Sequence, residues 1–289
     1  MVSVCQAQNQ PPAAPPPATP TAAAPAPAAP RPAASPQNAQ PPAPDYPDPR
    51  TLTFGAFVWA TGLDNSGPNL VTGNTAPDNE TLDNLGKARP VAGGVEVSLP
   101  ITRTGSLHFE SLLAKGDGNV TTTVTTDVFG NTYAAGTALV PQYSIFASKL
   151  YLDDLLFPHK FPVAKFRLKS LWEFQYIHMK TVVDAPALNT DTASAAAVGT
   201  KQIFLPTFGI AAEYALSPHV LFRVDGSAFG IPGRSNIWDA NVDLSYRRGS
   251  WEMLVGGKAL HFKSSSNATE YVTDTLTGVF VGLRWHWSL

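Results

Sequence analysis

The most reactive side chains of this sequence are histidines that lie close to hydroxyl and carboxylate groups. His178 shortly precedes Asp184, and His261 is followed by the serines at 264–266. A hydroxyl, an imidazole and a carboxylate brought together could perform acyl transfer, as in a protease or a lipid-modifying enzyme. No motif joins these residues, so the pattern favours a non-catalytic role for them.

Metal chemistry has little support in the sequence. His108 lies two positions before Glu110, and His286 lies two positions after Arg284, but the two histidines share no ligand spacing. The single cysteine, Cys5, excludes a disulfide framework and any cysteine-based metal site. The sequence therefore predicts neither a metal nor an organic cofactor.

The composition excludes several classes of protein. Charged residues make up 15% of the chain, whereas roughly 25% is usual in soluble domains. The mean hydropathy of −0.05 is too polar for a helical membrane protein, and there is no run of about 18 apolar residues that could form a transmembrane helix. A net charge of −2 gives no electrostatic reason to expect nucleic acid as a partner.

The chain divides at about residue 50. Residues 1–50 hold 16 of the 27 prolines and 14 alanines but no glycine. Such a segment buries too little apolar surface to offset its ordering entropy, so we expect a disordered Pro/Ala-rich tail that acts as a spacer. Residues 1–8 are interpreted as the remnant of a signal peptide, because they lack the basic and apolar regions of a complete one.

From residue 51 onward, apolar and polar residues alternate with a period of two. The last segment shows it best, since one face holds only Val279, Val281, Leu283, Trp285, Trp287 and Leu289. This alternation is typical of a β-strand with one apolar side. Equivalent segments upstream predict ten strands over residues 51–289, within a range of about 8 to 12.

The predicted connections decide the class of fold. They span 62–87, 101–104, 115–140, 153–162, 180–201, 217–219, 231–236, 248–250 and 264–273. Apart from 231–236 they alternate between long and short, and a soluble sandwich has no reason to segregate its loops in this way. With an even strand number, the layout predicts an all-β, antiparallel transmembrane β-barrel with its tail and short turns in the periplasm.

The two faces of the strands are assigned accordingly. Charged residues of both signs are predicted to line the lumen as a network: Glu213, Arg223, Asp225, Asp239, Asp243, Arg247, Glu252, Lys258 and Arg284. Aromatic residues on the apolar face are predicted to form girdles at the two membrane interfaces: Tyr176, Phe204, Tyr214, Trp238, Tyr246, Trp251, Trp285 and Trp287.

Turn geometry also predicts some cross-strand neighbours. A two-residue turn at Gly249 and Ser250 puts Arg247 opposite Glu252. A short loop at 217–219 puts Glu213 opposite Arg223, and a matching register puts Asp243 on the other side of Arg223, so that the three form a charge ladder. In residues 141–152 the alternation breaks near Lys149, where we expect a β-bulge.

Residues 51–289 resemble a small single-chain bacterial outer-membrane β-barrel. The final strand is similar to the assembly signal of that family at Leu283, Trp285, Trp287 and Leu289, although the family usually ends in Phe or Trp. The resemblance implies location in the outer membrane of a Gram-negative bacterium, with outer-membrane lipid and the barrel-assembly machinery as partners. Residues 1–50 could then bind peptidoglycan or another periplasmic partner.

Ten strands lie close to the size at which side chains fill a barrel. We therefore expect a structural or narrow-pore, porin-like protein with a charged lumen that is largely filled. Two alternatives stay open: an outer-membrane enzyme with its site at the outer rim, and a soluble secreted binder similar to a lipocalin.

Overall fold

The computed structural model describes residues 51–61, 68–72, 80–82, 85, 87–88, 91–158, 164–188 and 196–288. The predicted tail at 1–50 and the terminal Leu289 lie outside the described residues. Where the structure is described, it contains no helix with the length and hydropathy needed to cross a membrane.

Ten long strands make up the wall of the fold, as the sequence predicts. They are β1 (Thr51–Thr61), β2 (Ala92–Pro100), β3 (Gly105–Asp117), β4 (Ala138–Phe157), β5 (Phe166–Asp184), β6 (Ala197–Ser217), β7 (Val220–Ile231), β8 (Ser235–Arg248), β9 (Trp251–Lys263) and β10 (Glu270–Ser288). Each strand pairs antiparallel with the next one along the chain.

Pairing of the first strand with the last closes the barrel. β1 lies antiparallel to β10 in an unbroken register that runs from Thr51 opposite Ser288 to Thr61 opposite Gly278. Because no edge is left open along this seam, the backbone groups of both strands are hydrogen-bonded within the wall. The predicted fold class, an antiparallel β-barrel of ten strands, is confirmed.

Apart from 158–165 and 232–234, long and short connections lie at opposite ends of the barrel. The short-turn end holds the connections 101–104, 158–165, 218–219 and 249–250, and the long-loop end holds 62–91, 118–137, 185–196, 232–234 and 264–269. The long connections carry short strands of their own at Asn69–Thr72, Glu80–Leu82, Lys87–Ala88, Val120–Thr121, Thr126–Val128 and Asn131–Tyr133, and a 3₁₀ turn at Pro186–Leu188.

Several strands run further into the long-loop end than the sequence predicts. β5 continues to Asp184 and β6 begins at Ala197, although the sequence predicts a loop over 180–201. Val183 lies opposite Ala197, so cross-strand pairing continues to that level. Pairing between β5 and β6 therefore determines where these two strands end. The local alternation of apolar and polar residues does not reveal that pairing.

The bulge expected near Lys149 is a wrong prediction. The register between β4 and β5 is continuous from Val140 to Leu155, and the irregularity lies between Leu155 and Phe157, next to a turn. Lys149 points into the lumen and is buried. Along this part of β4 the inward residues change from apolar to charged, but the same face of the strand stays inward.

The outside of the barrel is apolar over most of its height. Outward side chains on all ten strands are exposed and hydrophobic, among them Phe204 at 65% and Trp287 at 63% exposure. All eight aromatic residues predicted for the girdles lie on this face. Trp251 and Trp285 meet edge to face near the short-turn end, with ring centroids 4.4 Å apart.

The lumen has two halves of different chemistry. The half next to the short turns is charged, and the half next to the long loops is a closely packed apolar cluster, here called the apolar plug. Its members include wall residues and residues from the long connections: Trp59, Leu70, Leu85, Val128, Tyr133, Ile177, Met179, Ile237, Phe262, Val272 and Leu276. The sequence predicted a charged interior and gave no indication of this apolar half.

Glycines on the wall make room for inward aromatic rings. A Cβ built on Gly94 would overlap the ring of Phe57 on the neighbouring strand, and one built on Gly116 would overlap Tyr143. The adjacent Gly93 faces outward and has nothing within 4 Å of its Cβ position. Two neighbouring glycines of β2 thus have opposite packing environments.

We expect Gly94→Ala to destabilise the barrel and Gly93→Ala to leave its stability nearly unchanged. The methyl group at position 94 forces the ring of Phe57 out of its place, and such overpacking costs about 1–3 kcal/mol. The urea midpoint of unfolding, followed by tryptophan fluorescence in lipid vesicles, measures the difference. Equal midpoints for the two variants would contradict this account of the glycine.

Candidate functional site

The candidate site is a cavity in the charged half of the lumen, open at the short-turn end. Its volume is about 120 Å³, and two smaller cavities of about 40 Å³ and 20 Å³ continue toward the apolar plug. Its charged and imidazole lining groups are Glu96, His108, Arg167, Lys169, Glu213, His219, Arg223, Asp243, Arg247, Glu252, Arg284 and His286.

The structure brings the nine residues of the predicted lumen network to the inner face. Six of them are nearly inaccessible to solvent: Glu213, Asp225, Asp239, Asp243, Glu252 and Lys258. The other three, Arg223, Arg247 and Arg284, line the open cavity. They come from β6 to β10, and at the short-turn end two-residue turns join β6 to β7 and β8 to β9.

The predicted cross-strand neighbours are confirmed, although the ion pairs run differently. Arg223 lies opposite both Glu213 and Asp243, and Arg247 lies opposite Glu252. The Nε of Arg223 nevertheless lies 2.8 Å from Oδ1 of Asp225, two residues along its own strand. Register therefore places the charges on one face, and side-chain rotamers select their partners.

The ion-pair partners of Glu213 lie on β5 instead. Its two oxygens lie 2.8 Å from Nη2 of Arg167 and 3.0 Å from Nζ of Lys169. Lys169 also donates to Asp153 at 2.6 Å. Glu213 and Lys169 each contact two partners of opposite charge, which spreads the charge across three strands.

Deeper in the lumen, two lysines are held between carboxylates. Lys258 is ion-paired with Glu110, and Lys149 lies 3.5 Å from Asp239 and 3.9 Å from Glu110. Arg284 forms a two-pronged contact with Glu96, with Nη2 and Oε2 2.9 Å apart. Buried ions of one sign are thus compensated by the other, as low-dielectric surroundings require.

A buried hydrogen-bond network surrounds Glu173. Its Oε2 accepts hydrogen bonds from Gln175 Nε2 at 3.0 Å, Thr207 Oγ1 at 2.9 Å and Ser227 Oγ at 2.5 Å. Gln175 also donates to Asp239 at 2.5 Å. These contacts join β5 to β8 across the lumen and fill it with side chains.

At the mouth of the cavity, a hydroxyl, an imidazole and a carboxylate form a chain. Thr51 Oγ1 lies 2.8 Å from His286 Nδ1, and His286 Nε2 lies 2.6 Å from Glu252 Oε2. The three residues come from the first, last and next-to-last strands, which the closure of the barrel brings together. All three line the open cavity.

The sequence pattern does not predict three inward residues of β4, Lys149, Tyr151 and Asp153, as part of the lumen network. His108 stacks on Tyr151, with ring centroids 4.4 Å apart, and lies 3.3 Å from Asp153. The sequence predicts a connection at Asp153 and a β-bulge near Lys149. The signal that could have identified them is the strict alternation of Lys149, Tyr151 and Asp153 along β4, which places all three on one face.

The histidines predicted near the outer rim are placed on the outer face. His261 Nδ1 lies 2.8 Å from Thr275 Oγ1, and its ring stacks on Trp238. Ser264 Oγ accepts a hydrogen bond from the backbone of Val272. Within the described ranges, neither His178 nor His261 forms an ion pair with a carboxylate, and no group of His, Cys, Asp and Glu is arranged to hold a metal ion.

Known proteins share the architecture of the chain but not its sequence. No protein-family model and no curated protein matches it. The outer membrane protease OmpT from Escherichia coli is similar in structure, with a TM-score of 0.52 and 10% identity over 83% of this chain and 97% of OmpT. The outer membrane protein OprG from Pseudomonas aeruginosa matches with a TM-score of 0.38 and 8% identity, over 86% of this chain and 100% of OprG.

The closed barrel of ten strands, its apolar exterior and the likeness to OmpT define the class. The chain has the fold of bacterial outer-membrane β-barrel proteins.

We expect Lys258→Met to destabilise the barrel by roughly 3 kcal/mol, because it leaves Glu110 buried with only the more distant Lys149 to compensate it. The double variant Glu110→Gln with Lys258→Met removes both charges and should recover most of that loss. Urea unfolding in vesicles gives both values. A double variant no more stable than the single one would show that the ion pair is not the cause.

Proposed function

We propose that the chain is an outer-membrane barrel with a structural role, whose lumen is closed to solutes at the long-loop end. The exposed apolar side chains around the barrel support insertion into a bilayer, since their solvation by water would be unfavourable. Short turns in this architecture face the periplasm, so the charged cavity would open to that side.

The apolar plug is the observation that carries this proposal. Trp59, Leu70 and Leu85 are completely inaccessible to solvent, and Phe262 and Tyr133 are almost so. An aqueous path needs either polar lining or a diameter that water can wet, and the closely packed apolar side chains of the plug offer neither. Charged side chains fill the other half, which leaves only the small cavities described above.

The last strand and the first strand bear on two further points, the assembly of the barrel and the location of the N-terminal tail. Leu283, Trp285 and Trp287 form an outward apolar row at the end of β10, which supports recognition by the barrel-assembly machinery. Thr51 lies at the mouth of the cavity. The Pro/Ala-rich segment before it would therefore enter the periplasm, where it could bind peptidoglycan or another partner.

In planar lipid bilayers, the parent chain should give no sustained conductance steps on the nanosiemens scale. The double variant Trp59→Ala with Phe262→Ala removes two large plug side chains and should raise the conductance, because the charged half below can hold water. Sustained steps from the parent chain would overturn the closed-lumen proposal.

Two controls accompany this measurement. Trp238→Ala removes an aromatic side chain of the outer face at the same end and should leave the conductance at the parent level. Each variant should migrate differently before and after boiling on SDS gels, as a folded membrane barrel does. A chain that folds as a soluble monomer without detergent would instead favour the lipocalin-like alternative.

A second candidate function is hydrolysis of a small ester at the short-turn mouth. The specific observation behind it is the chain from Thr51 through His286 to Glu252, which has the order of nucleophile, base and orienting carboxylate. The cavity of about 120 Å³ would admit only a short acyl group.

The chemistry would follow the usual acyl-transfer sequence. Thr51 Oγ1 attacks the ester carbonyl while its proton passes to His286 Nδ1, and Glu252 stabilises the resulting imidazolium. The leaving alkoxide takes that proton and departs as an alcohol. Water then hydrolyses the acyl-threonine with the same histidine as base, which releases the acid and regenerates the hydroxyl.

Thr51→Ala should reduce turnover of a short p-nitrophenyl ester by at least about a hundredfold, which is within the range for loss of a nucleophile and its base. Thr53→Ala is the matched control, because Thr53 lines the same cavity but makes no hydrogen bond to His286 in the structure. Equal rates for the parent and both variants would rule out this second function.

A further inference from the structure

A second concave site, here called the rim cleft, lies at the long-loop end on the outside of the barrel. It lies between the β7–β8 connection and the β9–β10 loop and has a volume of about 310 Å³. The side chains that give it its chemistry are Arg234, Ser235, Asn236, Lys263 and Ser266. Its polar groups are donors for the most part, and it contains no carboxylate.

Backbone contacts fix the shape of the rim cleft. The N–H of Arg234 donates to the carbonyl of Ile231 at 2.9 Å, and the N–H of Ser266 donates to the carbonyl of Arg234 at 3.1 Å. Gly233 adopts a positive φ of 69°, which allows the tight connection. The two loops are therefore joined at Arg234, so that its guanidinium starts from a fixed backbone position.

The cations of the rim cleft differ from those of the lumen. Six lumen cations are ion-paired: Lys149, Arg167, Lys169, Arg223, Lys258 and Arg284. Among the described residues, neither Arg234 nor Lys263 has a carboxylate partner. Lys263 lies over an aromatic face, with Nζ 4.8 Å from the ring centroid of Tyr271. The rim cleft is thus a concave, uncompensated positive site suited to an anion.

One buried acceptor lies beside the rim cleft. The Oδ1 of Asn236 is buried without a hydrogen-bond partner among the described residues. Burying such a group without a partner is unfavourable.

The height of the rim cleft on the wall indicates where such a ligand comes from. Asn236 lies opposite Lys263, and two residues further down Trp238 lies opposite His261. Below them, Val242 and Leu244 continue the exposed apolar surface of β8. An outward lysine directly above an aromatic residue and an apolar surface is at the level of lipid head groups.

We propose that the rim cleft binds the phosphate group of a lipid from the leaflet at the long-loop end, with Lys263 and Arg234 as its charge partners. Phosphate suits this donor set, because guanidinium, ammonium and hydroxyl groups all donate to its oxygens. The inference rests on the proposed insertion in the membrane. It is independent of whether the lumen conducts.

The test measures binding of phosphatidic acid to the full chain in neutral detergent, by native mass spectrometry over a lipid titration. The parent should retain one phosphatidic acid molecule. The double variant Arg234→Gln with Lys263→Gln should bind about tenfold more weakly. If it binds as tightly as the parent, the proposal is wrong.

The control variant separates the rim cleft from general electrostatic attraction. Lys115→Gln with Lys180→Gln also removes two exposed outward cations at the long-loop end, on either side of Ser144 and away from the cleft. It should bind phosphatidic acid within about twofold of the parent. A tenfold loss in this control as well would show that net charge, and not the cleft, is responsible.

A third arm distinguishes a lipid from a soluble anion. Inorganic phosphate at the same concentration should not displace the lipid; if it does so completely, the site binds free phosphate and the lipid proposal fails. Heat-modifiable migration of each variant shows that the barrel is folded. Failure to insert into vesicles would count against the proposed function, whereas a folded and inserted barrel without the lipid would count against the cleft alone.

Discussion

The pairing of β1 with β10 is the interaction on which the rest of the structure depends. A strand that faces hydrocarbon cannot leave its N–H and C=O groups unpaired, and an open sheet would leave two edges of such groups. Because the register from Thr51 to Thr61 against β10 is unbroken, every wall strand has two neighbours. Closure also brings the two ends of the barrel sequence together, which is why Thr51 can contact His286.

Closure creates an interior that must be filled, and the chain fills it in two ways. Next to the short turns, cations and carboxylates of neighbouring strands compensate one another, as Lys258 and Glu110 do. Next to the long loops, wall residues such as Trp59 pack against Leu70 and Tyr133 from the connections. Both halves avoid unfavourable burial: the buried charges have partners of opposite sign, and the apolar groups are closely packed.

The charges outside the lumen follow a different rule. Arg234 and Lys263 stand at the boundary between the apolar wall and the loops, where water and lipid head groups can compensate a cation and no carboxylate is required. The two ends of the barrel therefore differ in chemistry: a hydrogen-bonded mouth with mixed charges at the short turns, and at the long loops a basic cleft whose cations have no carboxylate partner among the described residues.

The sequence alone determined the barrel class, the ten strands, the faces of their residues and even the neighbours of Arg223, because alternation and turn length are local properties that fix face and register. It did not determine the strand ends beyond 180, the inward role of Lys149 or the partner that Arg223 selects. Least of all did it indicate the apolar plug, since Leu70, Leu85 and Tyr133 lie in segments without regular alternation. Only the tertiary structure decided these features, because they depend on contacts between residues far apart in the chain, formed once the wall has closed.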